Sequence, residues 1–213
     1  MFAARIDRLP LPVRSAPGFL VNRVLMPYLL EAVELETEGL EPAAIDRAAV
    51  AFGMPMGPLR LADTVGLDIC ASVADILAQE LGVQVPSRLR TLVNAGHLGV
   101  KTGRGFYDYN EGRLQKLKRK TDAQVPEEVT DRLILRMLNE AVACLREGII
   151  QDADLVDAGM VFGTGFAPFR GGPMHYAHSR GESEIVETLT RLAERHGERF
   201  TPDAGWRELP VNP

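Results

Sequence analysis

Residues 17–40 read Pro-Gly-Phe-Leu-Val-Asn-Arg-Val-Leu-Met-Pro-Tyr-Leu-Leu-Glu-Ala-Val-Glu-Leu-Glu-Thr-Glu-Gly-Leu, and their pattern decides the fold. From Phe19 onward Leu20, Val24, Met26, Leu29, Leu30, Val33 and Leu35 recur at three- and four-residue steps. That periodicity predicts an amphipathic helix of about 20 residues, roughly 30 Å long. Gly39 suits the left-handed position after its last turn. Pro27 removes the bond to the Arg23 carbonyl, which predicts a bend one turn after Asn22.

Every segment up to residue 96 continues in the same style. Glu41-Pro42 opens a short helix that Gly53 closes, because Pro at the first helical position loses only an N–H that would be unsatisfied anyway. Met54-Pro55-Met56-Gly57-Pro58 is a turn, Leu59 to Thr64 a short helix, Leu67 to Leu81 a longer one ended by Gly82, and Ser87 to Ala95 another stopped by Gly96. Residues 99–112 break the pattern with four glycines and three aromatics, which predicts an ordered loop or tight turn anchored by Phe106 and Tyr107. A basic stretch from Arg113 to Lys120 follows and reads as a linker. Before residue 17, Phe2 to Ile6 resembles a helix end and Leu9 to Val13 a short extended segment with two prolines and no strand to pair with. The expectation is a chain that starts part-way through a larger α/β unit.

The second half repeats the first. Glu31-Ala32-Val33 and Glu38-Gly39-Leu40 return as Glu140-Ala141-Val142 and Glu147-Gly148-Ile149, 109 positions on. Ile45-Asp46 pairs with Val156-Asp157, Phe52-Gly53 with Phe162-Gly163, Pro58-Leu59-Arg60 with Pro168-Phe169-Arg170, and the helix closed by Gly197 with the one closed by Gly82. The expected fold is all-α: units at 17–112 and 125–213, joined by a linker at 113–124. Each unit has an apolar face its twin can cover, so the two are expected to pack as a pseudo-dimer.

Composition is that of an ordinary globular chain, 46% hydrophobic and 25% charged. A net charge of -5 argues against a dedicated nucleic-acid binder, whose surface has to neutralise phosphates. Cys70 and Cys144 sit inside apolar helical patterns, which points to a reducing compartment with no disulfide or Cys-based metal site. Arg5, Asp7 and Arg8 interrupt any leader, and no apolar run reaches the roughly 18 residues of a membrane span. Cytoplasm is the expected location.

Three motifs fall in order: Pro17-Gly18-Phe19-Leu20-Val21-Asn22-Arg23; Met56-Gly57-Pro58-Leu59-Arg60-Leu61-Ala62-Asp63-Thr64-Val65-Gly66-Leu67-Asp68; and Lys101-Thr102-Gly103-Arg104-Gly105-Phe106-Tyr107. Together they resemble the C-terminal domain of the 3-hydroxyacyl-CoA dehydrogenase family over nearly the whole chain. The tandem copy is similar to the α-subunit of multifunctional fatty-acid oxidation enzymes. The resemblance implies an NAD-dependent oxidation of an L-3-hydroxyacyl-CoA, with NAD and the catalytic His–Glu pair on an upstream Rossmann domain of which residues 1–16 are the remnant. No Gly-x-Gly-x-x-Gly follows a strand here, so no cofactor is expected on this chain alone. The four histidines lie in turns or at helix ends and read as surface or satisfied residues.

Asn22 is the one position onto which a family catalytic residue maps. Its carboxamide could donate to the substrate C3 oxygen, or could simply bond local backbone near a helix start. The second copy carries Asp131 there without the Pro-Gly-Phe lead-in and reads as architectural. Gly57, Pro58 and Asp63 are expected to shape the wall of the acyl cleft, with helix capping or turn bonding the other reading for Asp63. Lys101, Thr102 and Arg104 either meet CoA phosphates or form a solvated loop. Implied partners are acyl-CoA, the Rossmann domain, a hydratase domain, a thiolase subunit and a second copy of the chain. The rival reading is a non-catalytic helical assembly module on the same scaffold.

Overall fold

The computed structural model describes residues 10–115 and 126–209. The helix end expected at Phe2 to Ile6 and most of the basic linker lie outside those residues. Nine α-helices are found among them: α1 Val21–Thr37, α2 Pro42–Phe52, α3 Pro58–Val65, α4 Leu67–Leu81, α5 Ser87–Asn94, α6 Glu127–Arg146, α7 Ala153–Thr164, α8 Pro173–Arg180 and α9 Glu182–His196. Sequence reasoning missed one non-helical element. At the end of the Gly-rich segment β1 Tyr109–Asn110 pairs antiparallel with β2 Arg113–Leu114, Tyr109 opposite Leu114, so the first two residues of the expected linker belong to a hairpin. The rings that anchor this segment are Tyr107 and Tyr109, 6% and 7% exposed, while Phe106 is only partly covered.

The long helices α1 and α6 share the most extensive contact in the molecule. Both end the same way. Gly39 has φ +100° and Leu40 N–H donates to Leu35 O at 3.1 Å; Gly148 has φ +66° and Ile149 N–H donates to Cys144 O at 2.9 Å. A glycine in the left-handed region lets the chain fold back onto the last free carbonyls.

The two halves also share a less visible device. In each, an aspartate on one helix caps the next. Asp46 accepts from Leu59 N–H (2.9 Å) and Arg60 N–H (3.1 Å), and Asp157 accepts from Met174 N–H (2.7 Å) and His175 N–H (3.0 Å). The carboxylate satisfies amides that a helix start otherwise leaves unpaired. So close an approach needs glycine on the other side. A Cβ on Gly57 would fall 2.2 Å from Asp46 Cγ, and one on Gly172 would fall 2.5 Å from Asp157 Cγ.

This device corrects the pairing read from sequence. The counterpart of Gly57-Pro58-Leu59-Arg60 is Gly172-Pro173-Met174-His175. Pro168–Arg170 is an extra 3-10 turn, and Gly163 lies inside α7, whose terminating glycine is Gly165 at φ +72°. From there the match is uninterrupted: α3 and α8 are eight residues each, Gly66 and Gly181 lead into α4 and α9, and Gly82 and Gly197 follow those.

One core runs through both halves, with Leu20, Tyr28, Leu35, Leu59, Leu133, Ile134, Phe166 and Phe200 almost fully buried. The segment before α1 is irregular and lies over it: Leu11 and Val13 pack on the core, and Arg14 N–H donates to Ile149 O at 2.8 Å.

Candidate active site

Asn22 sits on the first turn of α1, exposed, and its carboxamide makes no hydrogen bond to any described residue. The residues before it form a tight turn. Gly18 has φ +73° and Phe19, unusually for a bulky residue, φ +49°. A Cβ on Gly18 would fall 3.0 Å from Arg23 N, which is why the lead-in requires glycine there.

Arg23, the next residue, points the other way into the protein and is 4% exposed. Its Nε donates to Glu140 at 2.6 Å, and its two terminal nitrogens donate to the Glu147 oxygens at 2.7 and 3.0 Å. Burial pulls the guanidinium downward, but its hydrogen bonds to both glutamates outweigh it and hold the group above its ordinary value. Glu147 is held below the usual carboxylate range by the same bonds. The arrangement is reciprocal. Arg132, 109 positions on, donates to Glu31 at 2.7 Å and through both terminal nitrogens to Glu38, the residues that correspond to Glu140 and Glu147. Sequence reasoning missed this network. Its signal was present, since Arg23 and Arg132 share the offset of the two Glu pairs.

Pro58 and Asp63 lie on α3, and Gly57 is the residue just before it. Gly57 admits the Asp46 carboxylate and Pro58 begins the helix. Asp63 is 1% exposed and accepts three hydrogen bonds, from Phe106 N–H (2.9 Å), Tyr107 N–H (3.0 Å) and the Tyr109 hydroxyl (2.9 Å). It ties the Gly-rich segment to α3. Tyr107 hydroxyl donates to Asp46 at 2.7 Å, so both buried carboxylates are held by that segment. Burial pushes Asp46 up to about 6 despite its three donors, and raises Asp63 as well.

The remaining three residues are engaged by other groups of the chain. Lys101 Nζ meets both Asp68 oxygens at 2.5 and 2.7 Å, and the Thr102 hydroxyl accepts from Leu98 N–H at 2.9 Å. Arg104 lies 3.5 Å from Asp108. The Gly103-x-Gly105 pair does not fit a dinucleotide. A Cβ on Gly105 would fall 1.9 Å from Asp63 Oδ1, so this glycine makes room for a protein carboxylate, and no helix begins there. In the second copy the Asn22 position is closed: Arg180 donates to Asp131 through both terminal nitrogens, one contact at 3.1 Å. Among the described residues no His/Cys/Asp/Glu group could hold a metal ion, and no helix is long and apolar enough to cross a membrane.

The chain is a tandem helical scaffold with an exposed carboxamide at the start of its first long helix. Residues 18–109 match the family model of the 3-hydroxyacyl-CoA dehydrogenase C-terminal domain, and the chain belongs to that family over this stretch. It is 39% identical over 213 residues to a fatty acid oxidation complex subunit alpha from Shewanella loihica, covering 94% of this chain and 30% of the relative. The subunit of the same name from Vibrio cholerae is also 39% identical, with 95% and 30% covered. The chain thus spans about a third of the length of these relatives. The crystal structure of the dehydrogenase part of multifunctional enzyme 1 from C. elegans superposes with a TM-score of 0.71 at 25% identity, over 97% of this chain and 51% of that one. The fold is shared with 3-hydroxybutyryl-CoA dehydrogenase from Escherichia coli, TM-score 0.77 at 22% identity, over 95% and 61%.

Proposed function

We propose that this chain is the substrate-side C-terminal part of an NAD-dependent L-3-hydroxyacyl-CoA dehydrogenase of fatty-acid oxidation, and that it turns over only when joined to a nucleotide-binding domain. The observation that carries the reading is the Asn22 turn. Its carboxamide is exposed and unbonded while both flanking residues are locked in place. Such a group is free to donate to the C3 oxygen of a 3-hydroxyacyl-CoA and help fix its orientation. NAD, the oxidant of this reaction, is assigned to the other domain, a reading supported by Gly105 lying against the Asp63 carboxylate rather than opening a helix.

In this reading Gly57, Pro58 and Asp63 shape the acyl cleft by holding α3 and the Gly-rich segment together rather than by touching substrate. Lys101 and Arg104 are the cations offered to CoA phosphates, each exchanging its carboxylate to do so, with Thr102 shaping their loop. Residues 17–112 and 125–213 act as an internal pseudo-dimer, supported by the reciprocal Arg–Glu bonds and the repeated Asp caps. Residues before 17 lead in from the nucleotide-binding domain, and 113–124 link the units. The partners proposed are acyl-CoA, that domain, a hydratase domain, a thiolase subunit and a second copy of the chain. The exposed rings of Phe162 and Phe169, 72% and 75% accessible, supply apolar surface for one of them. The proposed location is the cytoplasm, in keeping with two buried free thiols that burial pushes up to about 11 and about 12.

The test is NADH formation from a 3-hydroxyacyl-CoA by the chain alone and by a fusion placing it behind the nucleotide-binding domain of the Vibrio relative. Turnover by the fusion only is expected. Normal rates from the chain alone, or a folded fusion that binds no acyl-CoA, would overturn the reading.

A further inference from the structure

Three contacts from the second unit meet the residues on either side of Asn22. Arg23 is clamped by Glu140 and Glu147 on α6. Leu20 and Val21 pack onto α7 at two glycines one turn apart: a Cβ on Gly159 would fall 2.7 Å from Leu11 Cδ2 and 2.9 Å from Leu20 Cδ2, and one on Gly163 would fall 2.9 Å from Val21 Cγ2. Glycine inside a helix costs about 1 kcal/mol relative to alanine, so two of them there call for a reason, and close approach of this turn is one. The matching positions on α2, aligned through Asp46 and Asp157, are Ala48 and Phe52. The glycine notch is therefore on α7, where it receives Leu11, Leu20 and Val21, and not at the matching positions of α2.

We infer that the second unit, although its own Asn22 position is closed by Asp131 and Arg180, is the positioning element for Asn22. Arg23, Glu140, Glu147, Gly159 and Gly163 set where the carboxamide stands. They are positioning residues and touch no substrate. The inference rests on the proposed role of Asn22, and its first readout is independent of that role.

The experiment compares Arg23→Gln with Arg132→Gln, which removes the same chemistry from the reciprocal clamp away from Asn22, and adds Gly163→Ala as a milder variant. Hydrogen exchange in this chain follows the amides of Phe19 and Val24, bonded to Ala16 O and Leu20 O at 2.9 Å each. Arg23→Gln and Gly163→Ala should speed their exchange by about tenfold or more, with Arg132→Gln leaving it unchanged at a similar loss of melting temperature. In the active fusion, the first two should lower kcat roughly ten- to a hundredfold with KM little altered, and Arg132→Gln should keep wild-type kcat. Equal exchange at Phe19 and Val24 in Arg23→Gln and Arg132→Gln overturns the inference. Faster exchange there with an unchanged kcat upholds the positioning and instead removes Asn22 from the reaction.

Discussion

Replacing Asp63 with alanine separates a tether from a substrate contact. The substitution leaves three donors without an acceptor: Phe106 N–H, Tyr107 N–H and the Tyr109 hydroxyl. Two of them belong to tyrosines that are 6% and 7% exposed. A buried donor left unsatisfied costs about 1–3 kcal/mol. Water can reach the half-covered Phe106, and removing a carboxylate whose burial already raises its pKa returns some desolvation energy. The net expectation is a loss of about 3 kcal/mol, measured by urea unfolding at neutral pH. Amide exchange should localise the loosening to residues 99–110 before global unfolding. A loss below about 1 kcal/mol would refute the accounting, as would a segment that stays protected. If Asp63 instead contacted substrate, stability would hold and the KM of the active fusion would rise.

Two further outcomes follow from the repeated Asp caps. Gly57→Ala places a Cβ 2.2 Å from Asp46 Cγ, and neither a buried capped carboxylate nor helix backbone can give way cheaply. A loss of about 2–4 kcal/mol in thermal or urea unfolding is expected, whereas Gly82→Ala, with open space at its Cβ position, should show only the smaller strain of its left-handed backbone. Asp46 should titrate near 6 by NMR. Because that pKa is raised in the folded state, its contribution to stability is present below about 4 and is lost as pH rises through about 6. Asp46→Asn should therefore remove that descending slope, and an Asp46 midpoint near 4 would contradict the burial argument.

The sequence carried the helices and the duplication well, because apolar periodicity and terminal glycines are local signals. The pairing drifted where two local patterns coincided. Phe-Gly and Pro-x-Arg each recur, but Gly163 serves α7 as a notch for Val21, and Pro168–Arg170 is an added turn. The contacts that organise the site were harder to read. Asp63 meets residues 43 to 46 positions away, and Arg23 meets glutamates 117 and 124 away. Nothing in a linear pattern distinguishes a carboxylate that holds a loop from one that faces a ligand. Lys101 shows the same ambiguity, its charge met by Asp68 from another helix.

The central claim is that Asn22 presents its carboxamide to the reacting oxygen of a 3-hydroxyacyl-CoA. Asn22→Ala in the active fusion tests it most directly, because the side chain is exposed and bonds no described residue, so the fold should be indifferent to its loss. The account predicts a kcat lowered about a hundredfold with melting temperature unchanged. A kcat equal to wild type would contradict it.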